Sequence, residues 1–208
     1  MTIKGIDISH WNRVVNFSMV KDSGVEFAIL KAGGSDRGFY KDRCFDDYYR
    51  LAHLACLKVG AYYFVGKGFV SYEAGLEDAK RFYRIIKDCR FEYPIFLDLE
   101  ATSPKDKNGA TDAAIEFCSY LENMGYYVGI YASDISGFKE RLDIERLEQY
   151  DKWVARYGKK PEYIKDPGIW QKSSTGCVPG IIGNVDIDTA YKDYEKIIRK
   201  AGLNGWRC

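Results

Sequence analysis

Four acidic side chains in this sequence stand where their spacing and surroundings could do chemistry. Asp98 and Glu100 lie two residues apart at the end of the run 94–100, PIFLDLE, which is otherwise apolar. Residues i and i+2 of an extended strand leave the same face, so both carboxyls point one way. Like charges held close raise one pKa and leave a protonated acid beside an ionised carboxylate. Cleavage of a glycosidic bond uses such a pair: a proton for the leaving oxygen and negative charge for an oxocarbenium-like centre. Asp7 in IDISHW and Asp186 in NVDID close two further strand candidates. An isolated acid in such a place is usually a solvated loop start or a helix cap. Asp188, followed by Thr189 and a helical pattern, reads as a cap of that kind.

Other chemistries fit less well. A hydrolytic zinc centre wants several His or Cys ligands. The chain has two histidines, His10 and His53, and His53 sits among Leu51, Ala52 and Leu54 in a helical pattern. The same shortage disfavours a Cys–His nucleophile pair. Oxygen ligands alone could hold magnesium or calcium, which keeps a metal-dependent sugar hydrolase or isomerase as an alternative. The segment 60–68, GAYYFVGKG, is one residue too long for a phosphate loop and has Gly68 where Ser or Thr belongs. Gly66-Lys67-Gly68 reads as a turn.

Composition narrows the class. The 31 basic and 30 acidic residues leave a net charge of +1, which argues against a nucleic-acid partner held by bulk charge. The longest apolar runs have strand length, so no membrane insertion is expected. Aromatic residues are abundant, with 17 Tyr, 11 Phe and 4 Trp, and a flat ring with a polar edge suits a sugar. Most will nevertheless be core. The six cysteines, at 44, 56, 89, 118, 177 and 208, form no CxxC pair and are expected to be buried, reduced thiols.

The acids need a scaffold that brings separate strand ends together. Short β-branched or aromatic runs recur at 3–8, 27–32, 58–64, 94–99, 126–131, 153–157, 169–172 and 184–187. Helical patterns fall between them at about 45–56, 72–89, 112–124, 144–149 and 191–201. Ser71 and Thr111 read as N-caps and Gly125 as a C-terminal stop. Alternating strands and helices indicate βαβ units with a parallel sheet, and eight strands indicate a closed barrel. A complete eight-helix barrel usually needs about 250 residues. With 208 residues, helices should be missing, and the crowded second half is where. Chemistry in such barrels sits at the C-terminal strand ends, where Asp7, Asp98, Glu100 and Asp186 would share one mouth.

At these residues the sequence resembles glycoside hydrolase family 25, the lysozymes (N-acetylmuramidases) of phage endolysins and bacterial autolysins. The segments that carry the resemblance are GIDISHWN (5–12), FAILKAGGS (27–35), KVGAYYF (58–64), PIFLDLE (94–100), VGIYAS (128–133), KWVARYG (152–158), IWQKSS (169–174) and VDID (185–188). They occur in family order across nearly the whole chain. The resemblance implies a single incomplete TIM-like α/β barrel, residues 1–198, with eight strands and about five helices, followed by a tail at 199–208. It also implies hydrolysis of the β-1,4 bond between N-acetylmuramic acid and N-acetylglucosamine in peptidoglycan glycan strands, without metal or cofactor.

Carried over residue by residue, Glu100 corresponds to the proton donor, Asp98 to its acidic partner, and Asp7 and Asp186 to the acids completing the site. Tyr62, Tyr131, Trp153 and Gln171 correspond to cleft positions, with a barrel-interior core role as the alternative for the last three. Many relatives read GAYH where this chain has Tyr63, which implies altered sugar contacts. A non-catalytic wall-binding barrel is the competing reading, against which the complete acid set counts. Residues 1–11 show no secretory signal pattern, so the expectation is synthesis in the cytoplasm and action on the wall after release, as for a phage or prophage endolysin.

Overall fold

The computed structural model describes residues 2–206, so Cys208 lies outside them. Eight strands close a barrel: β1 (Ile3–Ile8), β2 (Phe27–Gly34), β3 (Lys58–Phe64), β4 (Ile95–Asp98), β5 (Val128–Ser133), β6 (Asp151–Ala155), β7 (Ile169–Gly176) and β8 (Val185–Ala190). From β1 to β7 every neighbouring pair is parallel. The last strand departs from the expected parallel sheet, because β8 runs antiparallel to both β7 and β1. The reason lies in the connection: residues 177–184 are too few for a crossover helix, which a parallel return requires. They form a return loop instead, whose Ile181–Ile182 pairs with Arg13–Val14.

Five helices pack outside: α1 (Phe17–Asp22), α2 (Phe45–Leu54), α3 (Tyr72–Ile86), α4 (Lys107–Asn123) and α5 (Tyr194–Ala201). Ser71 caps α3 as expected, accepting from the Ala74 N–H. Thr111 does not cap α4, which begins a full turn earlier; its buried hydroxyl donates to the Lys107 carbonyl and accepts from the Asp143 N–H. The expected helix at 144–149 is a single 3-10 turn, Glu145–Leu147. Short π-helical and 3-10 segments, Asp134–Lys139 and Pro104–Asp106, and helix α1 had no clear pattern.

Two apolar layers result. One lies between the barrel wall and the helices; Tyr63 belongs to it, fully buried against Phe82 and Phe117 with its hydroxyl on Asp78. Tyr63 therefore faces the helical layer and does not line the acid cleft, where the expectation drawn from the missing histidine would have put it. The second layer fills the barrel with Phe27, Ile29, Tyr62, Tyr93, Phe96, Tyr131 and Trp153. These rings need glycine opposite them: a Cβ on Gly5 would fall 2.2 Å from the Phe27 ring, and one on Gly129 would fall 2.5 Å from Phe96.

Residues 199–206, expected as a tail, are part of this body. Asn204 is fully buried, donates to the Tyr93 carbonyl and accepts from the Tyr127 N–H. Of the described cysteines only Cys118 is buried; Cys44 and Cys89 are half-buried, and Cys56 and Cys177 are exposed. The expectation of buried thiols therefore holds for one. Cys56, with a positive φ, lies in the turn after α2, and Cys177 opens the β7–β8 loop.

Candidate active site

The mouth of the barrel gathers the side chains that the strand periodicity turns inward. Phe96, Asp98 and Glu100 are successive inward residues of β4 and its extension. Asp7 is the inward residue at the end of β1, and Asp186 and Asp188 are inward residues of β8. Strand β1 pairs Asp7 with Asp186 and Gly5 with Asp188, so the three carboxyls stack on one stretch of wall. A small cleft of about 190 Å³ is lined by all eight residues expected from sequence (Asp7, Tyr62, Asp98, Glu100, Tyr131, Trp153, Gln171 and Asp186) together with Tyr157.

Asp98 forms the floor and Glu100 the open wall. Asp98 is buried, and its Oδ1 has no hydrogen-bond partner among the described residues. Burial and then the charge of Glu100 push the Asp98 carboxyl well above the usual aspartate range. Solvent reaches Glu100 from the cleft side, yet the surrounding walls desolvate it enough to raise its pKa too. The two carboxyls influence one another, so they titrate as a pair rather than separately. The Lys31 ammonium opposes both upward shifts, and Arg141 opposes that of Glu100.

The opposite wall holds its acids with neutral donors. Gln171 Nε2 donates to Asp7 at 2.7 Å, while Gln171 Oε1 accepts from Tyr131 at 2.8 Å and from Tyr157 at 3.1 Å. Two phenols on the oxygen fix the amide so that its NH2 must face Asp7. Trp153 Nε1 donates to Asp188 Oδ1 at 2.8 Å. That indole packs against Tyr131, Phe96 and Tyr62, with ring centroids 4.4, 5.2 and 5.9 Å away. Tyr131 and Trp153 are thus both core and cleft floor.

Burial, followed by repulsion from Asp188 and Asp186, drives the Asp7 carboxyl well above its ordinary range. Burial and the charge of Glu100 raise Asp186 to about 6, and burial raises Asp188 to about 7 although the Trp153 hydrogen bond opposes it. Asp188 is no helix cap. It lies inside the barrel, and the cap of α5 is Asp193, which accepts from the Lys196 N–H. The signal was present: in VDID, 185–188, the two acids are two residues apart, as in DLE.

Three further residues at the mouth were missed. Lys31 is the one charged residue in the apolar run of β2, and that interruption could have marked it. Its ammonium lies 4.6 Å from the Phe64 ring centroid, 5.8 Å from that of Tyr62 and 5.7 Å from that of Tyr40. Asp188 is the second. Tyr157, on the loop after β6, is the third, and it had no signal; it depends on Asp134, which takes three N–H bonds from that loop and pairs with Arg156 at 2.7 Å. Among the described residues, no group of three or more His, Cys, Asp and Glu side chains is arranged to hold a metal ion.

Comparison with known proteins places these features in context. Residues 6–181 match the sequence model of the glycosyl hydrolases family 25. An autolytic lysozyme of Clostridium acetobutylicum is 30% identical over 187 residues, which are 89% of this chain and 55% of that protein. The chain thus spans about half the length of that relative. The solved lysozyme of Streptomyces coelicolor is 25% identical, with a TM-score of 0.78 over 99% of this chain and 98% of that one. The CTP1L endolysin superposes with a TM-score of 0.82 at 24% identity, over 95% of this chain and 70% of that one. The last likeness is one of fold.

Proposed function

The chain belongs to the glycosyl hydrolases family 25, and from that premise we propose that it is a muramidase. It cleaves the β-1,4 bond between N-acetylmuramic acid and N-acetylglucosamine in peptidoglycan. The observation that carries this reading is the placement of Asp98 and Glu100 on one strand face in a cleft that they line together with Asp7 and Asp186. Glu100, on the open side, delivers the proton to the glycosidic oxygen. With the pair's proton on Glu100, Asp98 carries a negative charge beneath the sugar ring as positive charge grows at the anomeric carbon. Its unpartnered Oδ1 is placed to accept the N–H of the substrate's acetamido group, so that the acetamido oxygen attacks from within the substrate. Asp7 and Asp186 hold the water and sugar hydroxyls on the opposite wall.

The names of two similar proteins, an autolytic lysozyme and a solved bacterial lysozyme, support the same substrate class. Within that class we favour a phage or prophage endolysin that reaches the wall after release from the cytoplasm, in line with its fold likeness to the CTP1L endolysin. Expression inside a bacterium with and without a membrane pore protein tests this: lysis that needs no pore protein would argue for an autolysin.

The activity itself is tested by incubating purified cell walls with wild type and with Glu100→Gln. Wild type is expected to clear the suspension and to release glycan ends reducing at N-acetylmuramic acid. Glu100→Gln keeps the shape but carries no transferable proton, so clearing should fall by roughly 10²–10⁴-fold with an unchanged melting curve. Ends reducing at N-acetylglucosamine, or full clearing by the variant, would refute the assignment.

A further inference from the structure

The acid cleft, at about 190 Å³, is smaller than the roughly 300–1,000 Å³ of typical small-ligand sites, so a glycan strand must rest on surface beyond it. A second cavity of about 380 Å³ is linked to it through Lys31, which lines the second cavity and faces Tyr62 of the first. The Lys31 ammonium sits 5.8 Å from the ring of Tyr62, which lines the acid cleft, while Lys31 itself lines the second cavity beside Phe64 and Tyr40. The far side of this cavity is Trp11, which is 73% exposed, whereas Trp153 is buried and Trp170 and Trp206 are half-buried.

An indole left this open forgoes the burial that normally orders it, yet its backbone is tightly held. The Ser9 N–H donates to Asn12 Oδ1 at 2.9 Å, the Asn12 N–H to the Ser9 carbonyl at 3.0 Å, and the Trp11 N–H to Ser9 Oγ at 3.2 Å. Tyr48 donates to the Asn12 carbonyl at 2.6 Å, and His10 is anchored to Asp42 through its N–H at 3.2 Å and its Nδ1 at 2.6 Å. The His10 ring in turn lies 4.6 Å from that of Trp11. A rigid turn displaying an uncovered aromatic face is a pre-organised platform, because little ordering remains to be done on binding. The cavity also offers polar groups of both signs: Lys31, which makes no ion pair among the described residues, and the exposed Arg37 with Asp36.

We infer that this cavity is a second saccharide subsite, in which a neutral N-acetylated hexose of the strand stacks on Trp11 while its hydroxyl and acetamido groups meet Lys31, Asp36 and Arg37. The mixed charge of the lining favours a neutral sugar over an anionic group. This inference rests on the muramidase reading and specifies how that site takes a longer strand.

The test uses the full chain carrying Glu100→Gln, so that bound glycan survives, and two probes without stem peptides: the disaccharide and the tetrasaccharide of alternating N-acetylglucosamine and N-acetylmuramic acid. By calorimetry the tetrasaccharide should bind at least about tenfold more tightly than the disaccharide, a difference of about 1.4 kcal/mol. Adding Trp11→Ala should reduce that advantage to less than about threefold, whereas adding Leu54→Ala, exposed beyond the far end of the barrel, should preserve it. In the otherwise wild-type enzyme Trp11→Ala should raise KM for long strands with kcat nearly constant. A tetrasaccharide advantage that survives Trp11→Ala would overturn the subsite and leave the muramidase reading standing. Failure of both probes to bind, together with wild-type walls left uncleared, would overturn the reading on which it rests.

Discussion

The two walls of the barrel mouth hold their carboxyls by different means. On the parallel side, Asp98 and Glu100 titrate as a pair near Lys31, a cation that lowers the pKa of both. On the antiparallel side, Asp7 and Asp188 take their side-chain hydrogen bonds from neutral donors, the Gln171 amide and the Trp153 indole, and the Lys172 charge is the smallest of the influences on Asp188. A neutral donor partly offsets burial but supplies no opposite charge, so this wall holds protons until about pH 6 to 7. The first wall is thus equipped to exchange a proton with substrate, and the second to remain close to neutral while it shapes the pocket. The walls also sense one another, since the Glu100 charge contributes to raising Asp186.

The strongest way to break this comparison is Asp98→Asn. It removes the carboxylate proposed to lie beneath the sugar ring, so clearing of cell walls should fall by roughly 10²–10⁴-fold. Residual activity should show its pH limbs displaced, because Glu100 then titrates alone rather than as half of a coupled pair. A limb that stays in place would show that the pair is not coupled.

Lys31→Met acts in the opposite direction. Loss of the cation lets both pKa values of the pair rise, so both limbs of the pH–activity profile should move up by about one pH unit. An unmoved profile would remove Lys31 from the electrostatics of that wall.

Asp188→Asn sharpens the other half of the comparison. The Asn oxygen still accepts from Trp153, and its NH2 can donate toward Asp7, so activity should stay within about threefold of wild type. Stability should change. An ordinary aspartate titrates near 3.8 and Asp188 near 7, so between about pH 4 and 7 the unfolded chain releases a proton that the folded chain retains. The folded state therefore loses stability as pH rises across that window, and the amide abolishes this loss. Thermal melts should show the variant a few degrees more stable at pH 8, roughly 2–4 °C per kcal/mol for a chain of this size, and equal to wild type near pH 4. Asp188→Ala, which leaves the indole N–H unpaired, should instead be destabilised by about 1–3 kcal/mol near pH 4, with a smaller deficit at pH 8 because it too escapes the ionisation cost.

The smallest effect is expected from a chelator. The mechanism assigns every mouth carboxyl to proton exchange or hydrogen bonding and none to a cation, so clearing rates with and without EDTA should agree. Loss restored by magnesium or calcium would favour the metal-dependent alternative.

How far the site could be read in advance depends on which residue is asked. Asp98 and Glu100 follow from two-residue periodicity alone. The same rule applied to Asp186 and Asp188 would have placed Asp188 inside the barrel, but the adjoining Thr189 and helical pattern pointed to a cap. Asp186 was located through two compensating errors. It was taken as the end of a parallel strand, whereas it lies at the start of an antiparallel one, and both descriptions put it at the same mouth. Tyr63 misled because the sequence of a strand says which residues alternate but not which face is inward. Tyr157 could not be read at all, since its place depends on Asp134 gripping a loop more than twenty residues away.

By itself the sequence determined the order of strands and helices, the membership of the family and the presence of one same-face acid pair, because these are local patterns of period two and 3.6 or ordered motifs. Only the tertiary structure decided the direction of β8, the burial of Asp188, the raised carboxyl of Asp98 at the floor and the contact of Lys31 with three rings. Each of those depends on which distant segments approach, and a carboxyl's charge state is set by neighbours and lost solvent rather than by its place in the chain.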